Sequence, residues 1–152
     1  MNAKRFLEAN AESETVNALF MRGDQPTRKL VFIVPPKVHL LDLSGPSHVV
    51  FYEAKEAGFP LEILFVCLDH QNHTESSAGL FFAKLNPLQN LTLSPNDFVF
   101  IPGSEGILDI VQAYTNFLDY LREWHKQGVY ICSICVGILW LAKASILERK
   151  KS

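Results

Sequence analysis

From residue 30 onward, short and strongly apolar runs alternate with segments of helical spacing. Four of these runs have the length and continuous hydrophobicity of strands that are buried on both faces. No hairpin turn is expected between them, so we expect a mainly parallel sheet with helices on both sides. The pattern predicts an α/β fold, and its strands are Leu30–Val34, Leu61–Cys67, Asp97–Ile101 and Val129–Cys132.

Three helices are predicted between and after these strands. Gly45 and Pro46 open the first, and Gly58 stops it. The second has apolar residues at 3.6-residue spacing and is closed by Gly128. The stretch between residues 69 and 95 is polar and predicts turns with short extended pieces, such as Gly79–Ala83. The predicted helices span residues 45–57, 107–128 and 137–147.

The length of 152 residues suits one domain. We divide the chain into a polar leader (1–28), a domain (29–149) and a basic tail (150–152). A net charge of −2 argues against nucleic-acid binding by these residues. The longest apolar stretch is interrupted and too short for a membrane span. With no apolar signal segment and only three cysteines, we expect a cytoplasmic protein.

Candidate chemistry lies where the predicted strands end, because open parallel sheets bind ligands at their carboxyl edge. The fourth strand runs into Cys132-Ser-Ile-Cys135-Val-Gly137 and turns directly into a helix. This pattern indicates a nucleophile elbow with Cys135 at its tip, where the following helix favours a thiolate. The N–H of Val136 and one from the Gly103–Ser104 turn would form an oxyanion or ligand pocket. The alternative is that Cys135 is a small buried hydrophobe.

Three motifs together are similar to one known family. Leu40–Pro46, Asp97–Gly103 and Ile131–Gly137 resemble, in order and spacing, segments of the ThiJ/PfpI family of the class I glutamine amidotransferase-like superfamily. The resemblance is closest to the N-terminal domain of AraC-type transcriptional regulators, a branch that includes isonitrile hydratase. It implies a flavodoxin-like three-layer sandwich with a mainly parallel sheet, and it implies that the C-terminal part of the family fold is missing from this sequence.

The resemblance also implies roles for individual residues. Cys135 matches the family cysteine, and Asp42 matches the acid that approaches its sulfur in isonitrile hydratase-like members. Gly103 and Ser104 match a Pro-Gly-Gly turn, with serine in place of the second glycine. Val136 departs from the family, because hydrolytic relatives carry histidine there and isonitrile hydratase carries threonine. For Asp42, the residues leave open a local role as a loop carboxylate that accepts backbone N–H bonds.

These observations support three functional hypotheses. The first is a non-catalytic domain that senses an unidentified small molecule, related to AraC-type regulators but lacking their DNA-binding part. The alternative is a cysteine-dependent hydratase or hydrolase acting on a C–N bond, with Cys135 as nucleophile and Asp42 as acid–base. The third is a structural remnant that forms a homodimer. Whether the protein is an enzyme stays open, and we expect no cofactor.

Other polar residues carry weaker signals. Cys132 and Cys135 form a C-x-x-C, but Cys132 ends a buried strand, which disfavours a thioredoxin-like redox pair. A zinc site that adds His70 and His73 is disfavoured further, so we expect no metal site. His39 and His48 flank the Asp42 motif and could line the pocket, but the pattern favours an exposed loop position for His39 and a helix-surface position for His48.

Overall fold

The computed structural model describes residues 27–147, so nearly all of the predicted leader and the predicted basic tail lie outside the described residues. Residues 27–147 form seven strands: β1 (Arg28–Val34), β2 (Leu61–Cys67), β3 (His73–Glu75), β4 (Phe81–Ala83), β5 (Asn86–Pro87), β6 (Phe98–Ile101) and β7 (Tyr130–Ser133). The same residues form four α-helices: α1 (Leu40–Ala57), α2 (Ile107–Ala113), α3 (Thr115–Gln127) and α4 (Ile138–Lys143).

Five strands form one sheet in the order β5-β2-β1-β6-β7, and every pairing in it is parallel. The predicted α/β fold and all four predicted main strands are therefore confirmed. The polar stretch between residues 69 and 95 contains the short extended piece predicted at Gly79–Ala83, which includes β4. β3 and β4 pair antiparallel as a small hairpin separate from the main sheet, and this pairing was not predicted.

The first helix begins earlier than predicted. α1 starts at Leu40, so Pro46 lies inside the helix and does not open it. Proline has no N–H, so the bond that would reach the Asp42 carbonyl four residues earlier is missing, and helices rarely accept this. The consequence for the site is that Asp42 lies in the first turn of a helix, whereas the sequence had left open a place in a loop.

The long amphipathic segment forms two helices where one was predicted. Tyr114 has a non-helical backbone (φ −115°, ψ 49°) and separates α2 from α3. Apolar residues on both sides of the break still bury against the same core, which is why their spacing did not reveal it. The predicted last helix is also shorter: it begins at Ile138, after the 3₁₀ turn Cys135–Gly137, and it ends at Lys143, shortly before Ser145 with its left-handed backbone (φ 58°).

One face of the sheet is closed by α2, α3 and α4. Its core joins inward side chains of the central strands with apolar residues of these helices. Phe117 and Trp140 are fully buried there, with ring centroids 4.9 Å apart in an edge-to-face contact. We call this the closed face.

The other face carries α1 and the β3–β4 hairpin, and we call it the open face. Its core is smaller and includes Phe32 and Leu43. Phe32 stacks between Phe65 and Phe100 at centroid distances of 5.5 and 5.1 Å. Phe65 nonetheless keeps 36% of its surface exposed, and Tyr130 on the outermost strand keeps 52%.

Within the part of the chain that the structure describes, no helix has both the length and the apolar character needed to cross a bilayer.

Candidate functional site

The candidate site lies at the carboxyl edge of the sheet, where the strand order reverses. β1 is followed by β2 on one side and pairs with β6 on the other. In sheets of this type the crevice at the reversal is the usual place for a ligand. The segments that follow β1, β6 and β7 carry His39 and Asp42, Gly103 and Ser104, and Cys135, respectively.

The loop between β1 and α1 is fixed by backbone hydrogen bonds to the segment after β6. Val38 is fully buried and forms an antiparallel bridge with Ser104. The His39 N–H donates to the Gly103 carbonyl at 2.9 Å, and the Glu105 N–H donates to the Lys37 carbonyl at 2.9 Å. These bonds place the first turn of α1 directly beside the turn after β6.

Asp42 is held by that turn. The Gly103 N–H donates to Asp42 Oδ2 at 3.1 Å, so this N–H orients the carboxylate. His39 Nδ1 lies 3.6 Å from the same oxygen, and both side chains are partly exposed. One carboxylate oxygen thus faces a backbone donor and an imidazole.

Gly103 leaves no room for a side chain. A Cβ at this position would lie 2.8 Å from Asp42 Oδ2, 3.0 Å from Val136 Cγ2 and 3.2 Å from His39 Nδ1. Contacts this short are tighter than nearly all real Cβ contacts. The glycine is therefore what allows the acid, the histidine and the valine to converge.

Cys135 occupies a strained turn. Its φ is +55°, in the left-handed region that a non-glycine residue seldom adopts. The chain turns here from β7 into the 3₁₀ turn, and the Ile134 N–H still donates to the Ile101 carbonyl at 2.9 Å. Gly137 completes the turn because a Cβ there would lie 2.3 Å from the Ile101 oxygen.

The fold brings Cys135, Asp42 and His39 together. One potential ligand atom from each, namely the thiol sulfur, a carboxylate oxygen and an imidazole nitrogen, lie within 4.8 Å of one another. Among the three cysteines, only Cys135 is exposed. The arrangement therefore presents a solvent-accessible thiol beside an acid and a base.

The remaining predicted site residues lie around this group. Val136 is half-buried and faces the Gly103 backbone. Ser104 is 2% exposed, and its hydroxyl has no hydrogen-bond partner among residues 27–147. Their predicted function as an oxyanion or ligand pocket stays a prediction, and the Gly103 N–H is already directed at Asp42.

His39 is the site residue whose importance the sequence did not bring out. It lies in the loop before α1 with 37% of its side chain exposed, as the favoured interpretation had it, but it also lies next to Asp42. The available signal was its place three residues before Asp42, which puts both side chains on one side of the first helical turn. That signal needed a helix starting at Leu40, and the sequence predicted the start five residues later.

The other two thiols have a different environment. Burial raises the pKa of Cys132, and burial together with the nearby Asp69 carboxylate raises the pKa of Cys67. The Cys67 sulfur also contacts backbone carbonyls, the nearest being that of Gln71 at 2.7 Å. Both thiols are therefore favoured in their neutral form.

Residues 28–152 match the model of the DJ-1/PfpI family. The chain belongs to the DJ-1/PfpI family. The resemblance to ThiJ/PfpI proteins is therefore confirmed for most of the chain, together with the fold it implied.

Two kinds of relative of this DJ-1/PfpI chain are informative. Isonitrile hydratase of Pseudomonas putida is 31% identical over 123 residues, which are 80% of this chain and 49% of that protein. The chain thus spans about half the length of this curated relative.

Solved structures show the fold at lower identity. An AraC family transcriptional regulator of Pseudomonas putida has a TM-score of 0.65 at 15% identity, covering 80% of this chain and 77% of that one. DJ-1 of Toxoplasma gondii has a TM-score of 0.62 at 18% identity, covering 80% and 63%.

Proposed function

We propose that this domain uses Cys135 as a nucleophile to add water to a small molecule with a carbon–nitrogen multiple bond, as an isonitrile hydratase would. The observation that carries the proposal is the grouping of the Cys135 sulfur with Asp42 and His39 within 4.8 Å. The identity of 31% to isonitrile hydratase supports the substrate class.

The non-catalytic hypothesis rested on the likeness to AraC-type regulators together with Val136, which cannot relay a proton. In the folded chain the polar groups near the thiol come from a different segment, with His39 in the loop before α1 and Asp42 in its first turn. A valine after the cysteine therefore does not leave the thiol without an acid or a base.

The first half of the proposed reaction forms a thioimidate. The thiol proton of Cys135 passes to the Asp42 carboxylate, and the sulfur forms a bond to the terminal carbon of the isonitrile R–N≡C. Asp42 returns the proton to that carbon, which gives the covalent species Cys135–S–CH=N–R. Cys135 occupies a strained backbone conformation at the tip of a turn, as a nucleophile elbow requires.

The second half releases the product and restores the thiol. Water adds its oxygen to the thioimidate carbon, and its proton reaches the nitrogen through Asp42. The C–S bond then breaks, the sulfur keeps the electron pair, and the hydroxyl proton returns to it. The net reaction converts an isonitrile and water into an N-substituted formamide without oxidation or reduction.

Turnover of an isonitrile by matched variants tests the proposal. We expect tert-butyl isocyanide to give the formamide, detected by proton NMR, and we expect Cys135→Ser to abolish this. Asp42→Asn should lower the rate by about 100-fold or more, the usual contribution of a positioned acid–base. Cys132→Ser is the control and should keep full activity. Activity retained in Cys135→Ser would contradict the proposal.

A second candidate, ligand sensing, is favoured by a different observation. A cavity of about 530 Å³ lies between α1 and the β4 segment, and its walls are mostly apolar, with Leu43, Phe65 and Phe82 among them. This volume suits a small ligand. Calorimetric titration with octanol tests it: binding should be lost in Leu80→Asp, at an exposed wall position, and kept in Cys135→Ser. No binding to the unmodified chain would remove this candidate.

A further inference from the structure

The three side chains of the candidate site also have the composition of a metal centre. His39 offers an imidazole nitrogen, Asp42 a carboxylate oxygen and Cys135 a thiolate sulfur. A sulfur ligand excludes hard cations such as Mg²⁺ and Ca²⁺, and a mixed N, O and S set suits Zn²⁺. We propose that this site binds one Zn²⁺ ion through His39, Asp42 and Cys135.

The distances agree with a tetrahedral ion. Zinc binds sulfur at about 2.3 Å and nitrogen or oxygen at about 2.0–2.2 Å, which places neighbouring ligand atoms roughly 3.3–3.6 Å apart. His39 Nδ1 and Asp42 Oδ2 are already 3.6 Å apart. The sulfur is within 4.8 Å of both, and Cys135 is exposed, so rotation of its side chain can close the remaining gap.

The surroundings of the ligands support the same assignment. Asp42 is oriented by the Gly103 N–H at 3.1 Å, and metal-ligating carboxylates are generally held by such an outer hydrogen bond. The histidine backbone is fixed by its own bond to the Gly103 carbonyl at 2.9 Å. Two of the three ligands are thus positioned before any ion arrives. Three protein ligands leave the fourth position open to water.

Zinc at this site would occupy the thiol that the proposed reaction uses. The binding itself does not depend on that reaction, because it needs only the three side chains. The consequence is a reversible block: the sulfur bonded to Zn²⁺ donates much of its negative charge to the ion and is a weaker nucleophile towards a carbon electrophile until a chelator removes the ion. Cys132, which lies outside this group, should be unaffected.

Metal titration of the reduced, metal-free chain tests the proposal without any activity measurement. We expect one Zn²⁺ per chain in competition with a chromophoric chelator. Co²⁺ should give a sulfur-to-cobalt charge-transfer band in the near ultraviolet. Cys135→Ser, His39→Gln and Asp42→Asn should each weaken Zn²⁺ binding by at least about 100-fold, since even outer-shell changes cost 10- to 100-fold.

Two control variants separate this site from its alternatives. His48→Gln lies on the exposed surface of α1 and should leave the affinity unchanged, as should Cys132→Ser. An equal loss in Cys132→Ser would assign the metal to the C-x-x-C pair and overturn the proposal, and so would an absence of the cobalt band. Zinc binding without isonitrile turnover would refute the proposed function alone.

Alkylation provides an independent readout. Zn²⁺ should slow the reaction of Cys135 with iodoacetamide, measured by peptide mass mapping, and EDTA should restore the rate. Cys132 in the same digest should react equally fast with and without the ion. Cys135 alkylation that ignores saturating Zn²⁺ would contradict the assignment of its sulfur as a ligand.

Discussion

The two faces of the sheet are built from equally apolar strands, yet they are buried to different degrees. On the closed face Ile33, Ile101 and Phe117 have no exposed surface. On the open face Phe65 and Tyr130 remain 36% and 52% exposed. A continuous apolar run therefore shows that both faces of a strand are hydrophobic. Such a run does not show how much of each face is covered by other parts of the chain.

The difference comes from the helices and not from the strands. α2, α3 and α4 contribute a large set of buried side chains to the closed face. α1 is the longest helix among residues 27–147, yet it contributes few buried side chains to the open face. Leu43 and Ala54 are buried, whereas three large side chains are at least half exposed, namely Val49, Phe51 and Tyr52. The open face therefore has less apolar surface removed from water, and it should tolerate substitution better.

The largest contrast should come from the same substitution at two glycines. Gly137→Ala places a Cβ 2.3 Å from the Ile101 oxygen, and we expect a loss of more than about 4 kcal/mol in the free energy of unfolding. Gly45→Ala on α1 meets nothing within 4 Å apart from its chain neighbours and its own helix backbone, and it should change the free energy of unfolding by no more than about 1 kcal/mol, because the gain in helix propensity is opposed by the restriction that Pro46 places on the residue before it. Urea unfolding followed by circular dichroism measures both, and comparable destabilisation by the two changes would contradict the comparison.

The second largest difference in stability should be between two variants that each lose an aromatic ring, one on each face of the sheet. Phe117→Ala removes a fully buried ring that contacts Trp124 and Trp140, and we expect a loss of about 3–5 kcal/mol. Tyr130→Ala removes a half-exposed ring that stacks on Phe98 and should cost about 1 kcal/mol or less. Thermal unfolding of both variants measures the two losses of stability. A loss in Tyr130→Ala equal to that in Phe117→Ala would show that the open face is covered in solution.

The free energy of unfolding at alkaline pH should report how far the open face excludes water from the thiols of Cys67 and Cys132. Cys67 belongs to the core of that face, and Cys132 pairs in register with Phe100. Burial raises the pKa of both thiols above the ordinary value of 9.0. The unfolded chain then loses these protons first, so the free energy of unfolding should fall as the pH rises above about 9.

Urea midpoints at pH 8 and pH 10 measure this effect. The fall should be smaller in a Cys67→Ala, Cys132→Ala double variant, because the groups with raised pKa are gone. Tyr114, whose pKa is also raised by burial and by Asp69, remains in the double variant as a separate contribution to the pH dependence. A double variant with an undiminished pH dependence would mean that the thiols are as solvated in the folded chain as in the unfolded one.

The smallest effect should come from the outer surface of α1. Phe51 is 50% exposed, and we expect Phe51→Ser to change the free energy of unfolding by no more than about 0.5 kcal/mol. Thermal melting of this variant beside the unmodified chain provides the check. A loss of several kcal/mol would instead indicate that this surface is covered, and the contrast between the faces would then be smaller than the structure shows.

The sequence predicted the strands well because their apolar runs are short and sharply bounded. Leu61–Cys67 has the predicted limits, since Pro60 precedes it and a polar run begins at Asp69, one residue after Leu68. The start of α1 was wrong because Pro46 resembles a helix opener, and only tertiary contacts show that the helix begins at Leu40. The break at Tyr114 left no trace in the apolar spacing.

The candidate site could be predicted only in part, because contacts between distant segments of the chain bring some of its residues together. Cys135, Asp42 and the Gly103 turn follow from the motifs and their resemblance to a family. His39 is held in the site by a backbone bond to the Gly103 carbonyl, and the Gly103 N–H in turn binds the Asp42 side chain, so the contacts join segments more than 60 residues apart along the chain. No local pattern encodes that approach, and the wrong helix start concealed the one local clue.

The left-handed backbone of Cys135 has a consequence for how the sequence could change over time. A φ of +55° costs a non-glycine residue of the order of 1 kcal/mol or more, so Cys135→Gly would relieve strain as a single substitution. If selection acted on folding stability alone, replacement of Cys135 by glycine would be favoured. At this position backbone stability favours glycine, whereas the proposed reaction requires the cysteine that is present.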